Sequence, residues 1–130
     1  MIITLDTSST IPIYVQLRNQ IVMGIGRGDL MLGEGLPSVR QMAKDIGVNT
    51  MTVNKTYQIL KSEGFIEIDR RRGAVVATNQ YADIDFKDKL EDELELLSAE
   101  ASVKGLSKEE FMKMCEDAFS NFKLTSAEGV

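Results

Sequence analysis

"LPSVRQMAKDIGVNTMTVNKTYQILKSEGF", residues 36–65, carries two apolar periodicities separated by a single glycine. In the first, Ser38 stands as an N-cap with Gln41 three residues on, the spacing of a capping box, and Val39, Met42, Ala43 and Ile46 return at helical intervals as a buried stripe. Gly47 ends that helix. Val48 and Val53 flank Asn49 at the spacing of a hydrophobic staple, and Val53, Tyr57 and Leu60 form the inward face of a second helix that Gly64 closes. Two helices joined by a glycine-containing turn of about 3–4 residues have the layout of a helix-turn-helix.

Upstream, "PIYVQLRNQIVMGIGRG" from Pro12 places Ile13, Leu17, Ile21 and Ile25 four residues apart, with proline where its missing N–H costs nothing. This predicts a first helix, which Gly24, Gly26 and Gly28 weaken toward its end. That glycine pattern ends a helix instead of joining a strand to a helix N-terminus, so it is not a phosphate loop. Downstream, "FIEIDRRRGAVVA" sets Phe65, Ile66 and Ile68 before a basic turn and Ala74, Val75 and Val76 after it. It reads as a two-stranded hairpin with Arg70, Arg71, Arg72 and Gly73 at its tip, which completes a winged helix-turn-helix.

Beyond a short linker at "TNQYAD", Phe86, Leu90, Leu94, Leu97 and Ala101 step by three or four residues to Gly105. Ser107 with Glu110 is a second capping box, and Phe111, Cys115, Ala118 and Phe122 recur on one face with Met112 and Phe119 beside them. Two such helices cannot bury their apolar faces on each other alone. The division predicted is a winged helix-turn-helix domain over residues 1–78 and a helical tail over 79–130, a mostly α (α+β) chain.

The totals narrow the function classes. With 130 residues there is no room for a second catalytic domain. The chain has one cysteine, Cys115, and no histidine, so an intramolecular disulfide is excluded and the usual zinc ligands and general base are missing; the expectation is no metal, no cofactor and no enzyme activity. No apolar run approaches the ~20 residues that span a bilayer, and the N-terminus lacks a signal-peptide layout, which predicts a cytoplasmic protein off the membrane. The net charge of −5 is unevenly placed: residues 1–80 hold 9 Lys+Arg against 7 Asp+Glu, whereas residues 81–130 hold 6 against 13. The acidity belongs to the tail.

From Pro12 to Ala77 the order and spacing of these segments resemble the GntR family of bacterial winged-helix transcription factors, through "LPSVR", the following "A..IGV" and "TV", and a wing ending "RRRGAVVA". The short tail is similar to the small YtrA-type branch. The resemblance implies a homodimeric DNA-binding regulator, usually a repressor of a pseudo-palindromic operator and often of a transporter operon, with no large effector domain; it names no effector. The chain departs from the family pattern at Leu32, where proline is common before the loop glycine. Arg71 to Val76 likewise stand where the wing usually reads G-x-G-T-F-V, and Thr50 and Asn54 stand where many relatives carry guanine-reading arginines.

In a helix-turn-helix the first residues of the second helix face base edges, which explains why Asn49, Thr50, Met51, Thr52, Asn54 and Lys55 are kept out of the core. Asparagine can pair with adenine, and threonine and methionine can touch a thymine methyl, so an A·T-rich half-site is expected. Asn49 either caps the helix, contacts DNA, or does both. The resemblance makes Arg40 a phosphate contact, supported by Ser38. Arg70, Arg71 and Arg72 either reach flanking phosphates or a narrow minor groove, or form a solvated turn that protects a hairpin edge. Tyr14 and Tyr57 are assigned to core packing. Leu90, Leu94 and Leu97, with Phe111, Cys115, Phe119 and Phe122, read as dimerisation residues, the acidic tails lying away from the DNA. Met112, Met114 and Cys115 fit a packing stripe better than a ligand pocket. The competing reading is a winged-helix adaptor that binds protein and no specific DNA.

Overall fold

The computed structural model describes residues 2–125. Its elements run α1 (Ile13–Arg27), α2 (Val39–Ile46), α3 (Thr50–Ser62), β1 (Ile66–Asp69), β2 (Gly73–Val76), α4 (Ile84–Val103) and α5 (Lys108–Phe119). They fall into two compact units: residues up to Gln80 together with the segment that begins at Lys123, and Tyr81 to Phe122.

In the first unit the helical stripes meet as their spacing requires. Leu17, Ile21 and Ile25 of α1 pack with Met42 and Ala43 of α2 and with Val53, Tyr57 and Leu60 of α3, and Ile66 and Val76 close the core from the wing. Each such side chain contributes roughly 1.5–3 kcal/mol when fully buried. Gly47 takes φ 72° and donates its N–H to the Ala43 carbonyl, a left-handed stop that lets the chain turn from α2 into α3. The Ser38 hydroxyl accepts from the Gln41 N–H at 3.1 Å, but the Gln41 side chain runs forward to Asp45 at 2.6 Å, so only half of the expected capping box forms. Tertiary bonds add to the packing. Arg18 of α1 grips the Glu63 carboxylate with Nε and Nη2 at 3.0 and 3.1 Å and lies 5.3 Å from the Phe65 ring centroid.

The loop between α1 and α2 contributes more than its glycines suggest. Leu30 and Leu36 are buried in the core. The Gly33 N–H reaches the Val76 carbonyl at 2.8 Å, the Val76 N–H the Glu34 carbonyl at 2.8 Å, and the Leu36 N–H the Ala74 carbonyl at 2.8 Å. β2, which pairs antiparallel with β1 in the register Ile66 to Val76, is therefore flanked on both edges. That explains why Ala74, Val75 and Val76 are all buried, where an uncovered hairpin would alternate.

Residues 3–6 lie along α1 by a similar device: the Gln20 side-chain oxygen accepts from the Thr4 N–H at 2.8 Å and the Gln16 oxygen from the Asp6 N–H at 2.8 Å. At the other end, the Lys123 N–H reaches the Gly26 carbonyl at 2.6 Å and the Leu32 N–H the Thr125 carbonyl at 2.6 Å. The sequence reading kept 79–130 as one tail; residues 123–125 instead belong with the first unit.

The second unit is a helical pair. Asp83, not anticipated as a cap, accepts from the Phe86 N–H at 2.8 Å to start α4, and Ser107 accepts from the Glu110 N–H at 3.1 Å to start α5. The Glu110 carboxylate returns to the Ser107 hydroxyl, not to its N–H. Neither helix has a buried residue: Phe86, Leu90, Leu94, Leu97, Phe119 and Phe122 are exposed, and Ala101, Phe111 and Cys115 are half-buried.

Candidate nucleic-acid interface

The first turn of α3 is built from its cap outward. The Asn49 Oδ1 accepts from the Thr52 N–H at 2.8 Å, the bond that starts the helix. A bidentate pair with adenine needs both the oxygen and the NH₂ of an asparagine. While it caps, Asn49 has its NH₂ and one remaining lone pair of Oδ1 to offer. Asn54 is exposed and has both groups available. Thr50 and Lys55 are exposed beside it, and Met51 is 80% exposed. Thr52 is half-buried, the least accessible of the six expected contacts.

The core holds this turn in place through two hydroxyls. The Thr56 hydroxyl is fully buried and faces the Tyr14 and Thr52 carbonyls at 3.1 Å each, which fixes α3 against the start of α1. The Tyr57 hydroxyl donates to the Pro37 carbonyl at 2.8 Å, immediately before the Ser38 cap of α2. Burial pushes the Tyr57 phenol up to about 12, so it stays protonated as a donor. Tyr57 is a core residue, as assigned, and it also sets where α2 begins. Arg40, in the first turn of α2, is exposed. Tyr14 differs from its assignment: it is half-buried, with the Lys55 Nζ 3.8 Å from its ring centroid.

At the wing tip the Asp69 Oδ1 accepts from the backbone N–H of Arg71 at 2.7 Å and of Arg72 at 3.1 Å. These bonds, Arg71's foremost, hold the Asp69 carboxyl below its usual range. The Arg72 guanidinium donates to the Gly33 carbonyl, so it braces the wing on the α1–α2 loop. Arg70, Arg71, Arg72 and Gly73 are all exposed at the tip, Arg72 with one guanidinium nitrogen tied to the loop. The sequence treated the three arginines alike because nothing local distinguishes them. An Asp ahead of the turn was the legible signal for its rigidity; the Gly33 carbonyl comes from 39 residues away.

Three helices around one core, a braced two-stranded wing and a polar first turn on the second helix of the pair define a winged helix-turn-helix protein of the DNA-binding kind. Residues 13–76 match the family described as bacterial regulatory proteins, gntR family. The uncharacterized HTH-type transcriptional regulator YhcF of Bacillus subtilis is 37% identical over 106 residues, 81% of this chain and 88% of that protein. The chain belongs to the GntR family of DNA-binding transcription regulators. It is also similar to the HTH-type transcriptional repressor YtrA of Bacillus subtilis, 40% identical over 59% of each chain. Among solved structures, the crystal structure of a transcriptional antiterminator from Listeria monocytogenes EGD-e superposes with a TM-score of 0.85 at 27% identity, over 99% of this chain and 98% of that one.

Proposed function

We propose that the chain is a homodimeric repressor that places two α3 helices in successive major grooves of a pseudo-palindromic operator, half-sites about 10 base pairs or a multiple apart. The observation that carries this is the exposed face of the first two turns of α3, where Thr50, Met51, Asn54 and Lys55 stand clear of a core that fixes the helix from behind. Asn54 reads adenine with both its groups, Met51 and Thr50 touch thymine methyls, and Asn49 donates one further bond while it caps. Arg40 and Ser38 hold phosphate, and Arg70 and Arg71 engage the flanking backbone or minor groove.

Dimerisation falls to the open apolar faces of α4 and α5, through Leu90, Leu94, Leu97, Phe111, Cys115 and Phe119, with Phe122 just past the end of α5. Repression by a similar protein, YtrA, supports the sign of regulation; control of a transporter operon follows from the YtrA-type resemblance. The deciding experiment titrates purified protein into a fluorescent fragment from upstream of its own gene and into an equal-length random duplex, at ~50 and ~200 mM salt. A specific binder prefers its own fragment and loses orders of magnitude in affinity as salt rises. Equal, weak, salt-insensitive binding to both would leave the adaptor reading.

A further inference from the structure

We propose that Tyr14 is a positioning residue of the DNA interface: its ring holds the Lys55 ammonium toward α1, where the amine clamps a backbone phosphate instead of reading a base. The inference rests on the DNA-binding reading of α3. The Lys55 Nζ lies 3.8 Å from the Tyr14 ring centroid, well inside the ~6 Å over which a cation is attracted by an aromatic face. The backbone that carries the ring is anchored, because the Tyr14 carbonyl faces the hydroxyl of the fully buried Thr56 at 3.1 Å, and the Tyr14 side chain is half-buried. The lysine, by contrast, is exposed, and the core does not need it.

The chemistry follows from what the ring leaves free. A cation–π contact occupies one side of the ammonium, so its outward donors remain for a ligand. An ammonium is a compact point charge suited to phosphate oxygens, without the planar fork of a guanidinium. Holding the flexible lysine stem on Tyr14 before DNA arrives removes part of the ordering penalty of the contact. Asn54, Thr50 and Met51 are left as the base readers, while Lys55 contributes affinity on any sequence.

A double-mutant cycle on both duplexes tests this. Tyr14→Leu is expected to weaken binding to promoter and random DNA alike by about two- to fivefold, and Tyr14→Phe to keep wild-type affinity. Lys55→Met weakens binding further and lowers the salt exponent by about 1, and adding Tyr14→Leu to it changes nothing more. In the free protein, the Lys55 methylene resonances are ring-current shifted in wild type and Tyr14→Phe and unshifted in Tyr14→Leu. Equal losses from Tyr14→Leu in both lysine backgrounds, or unshifted Lys55 resonances in wild type, would overturn the assignment. Absence of promoter preference in wild type counts against the repressor reading alone, since the cycle on random duplex still decides the pairing; a wild type that binds neither duplex overturns both.

Discussion

Two hydroxyls and one carboxylate set the interface from beneath. Removing the Tyr57 hydroxyl by Tyr57→Phe leaves the Pro37 carbonyl without its bond, and the expected loss is about 1 kcal/mol in denaturant titration at neutral pH. The phenol's pKa is raised in the folded state, so its contribution is complete below about 10 and lost as pH climbs toward about 12. Wild-type stability should therefore fall in that alkaline window, and less steeply in Tyr57→Phe. Asp69 has the opposite sign: its carboxyl is depressed, so its contribution holds above the ordinary value of about 3.9 and is lost only as acid carries the pH through the lower folded value. Asp69→Ala should speed amide exchange at Arg71 and Arg72, the two N–H groups it accepts, and leave exchange in α3 unchanged. Because the chain has no histidine, operator affinity at fixed salt should be flat between about pH 6 and 8.

At the scale of elements, the returning segment 123–125 makes a claim on α1. Gly28 ends that helix at φ 84°, and a Cβ there would lie 2.5 Å from the Thr125 Oγ1 and 2.9 Å from the Lys123 carbonyl oxygen. Gly28→Ala thus carries left-handed strain and a clash, and should destabilise the first unit by more than the roughly 1 kcal/mol that strain alone costs. Deleting residues 123–130 removes the clash while the strain stays, so the same substitution should be milder in the shortened chain; equal effects in both would show that the segment does not press on Gly28. The wing makes a parallel case. Arg71→Ala should weaken binding on every duplex and lower its salt slope, whereas Arg72→Ala, which breaks the brace to the Gly33 carbonyl, should also loosen exchange in β2.

Across the whole molecule, the first unit has a closed core and the second has none: Leu90 and Leu94 are each 42% exposed on a face that is otherwise apolar. An open apolar stripe of this kind is covered in oligomers. Sedimentation should give about twice the 14.4 kDa chain mass, and Leu94→Glu should shift it toward one chain and weaken operator binding far more than random-duplex binding.

Local sequence signals settled the elements of this protein. Helical spacing marked all five helices, Ser38, Asn49 and Ser107 marked where three of them begin, and Gly47 marked the turn that makes the pair. These are short-range effects, between residues three or four apart, so one chain of letters suffices to read them. Tertiary structure alone decided which equivalent-looking groups serve the surface and which serve the fold. Arg72 bonds to the loop because Gly33 comes to it, residues 33–36 flank β2 because α1 delivers them there, and Tyr14 meets Lys55 across two helices. Each of these pairings spans dozens of residues, and its partner is fixed only when the buried faces have packed.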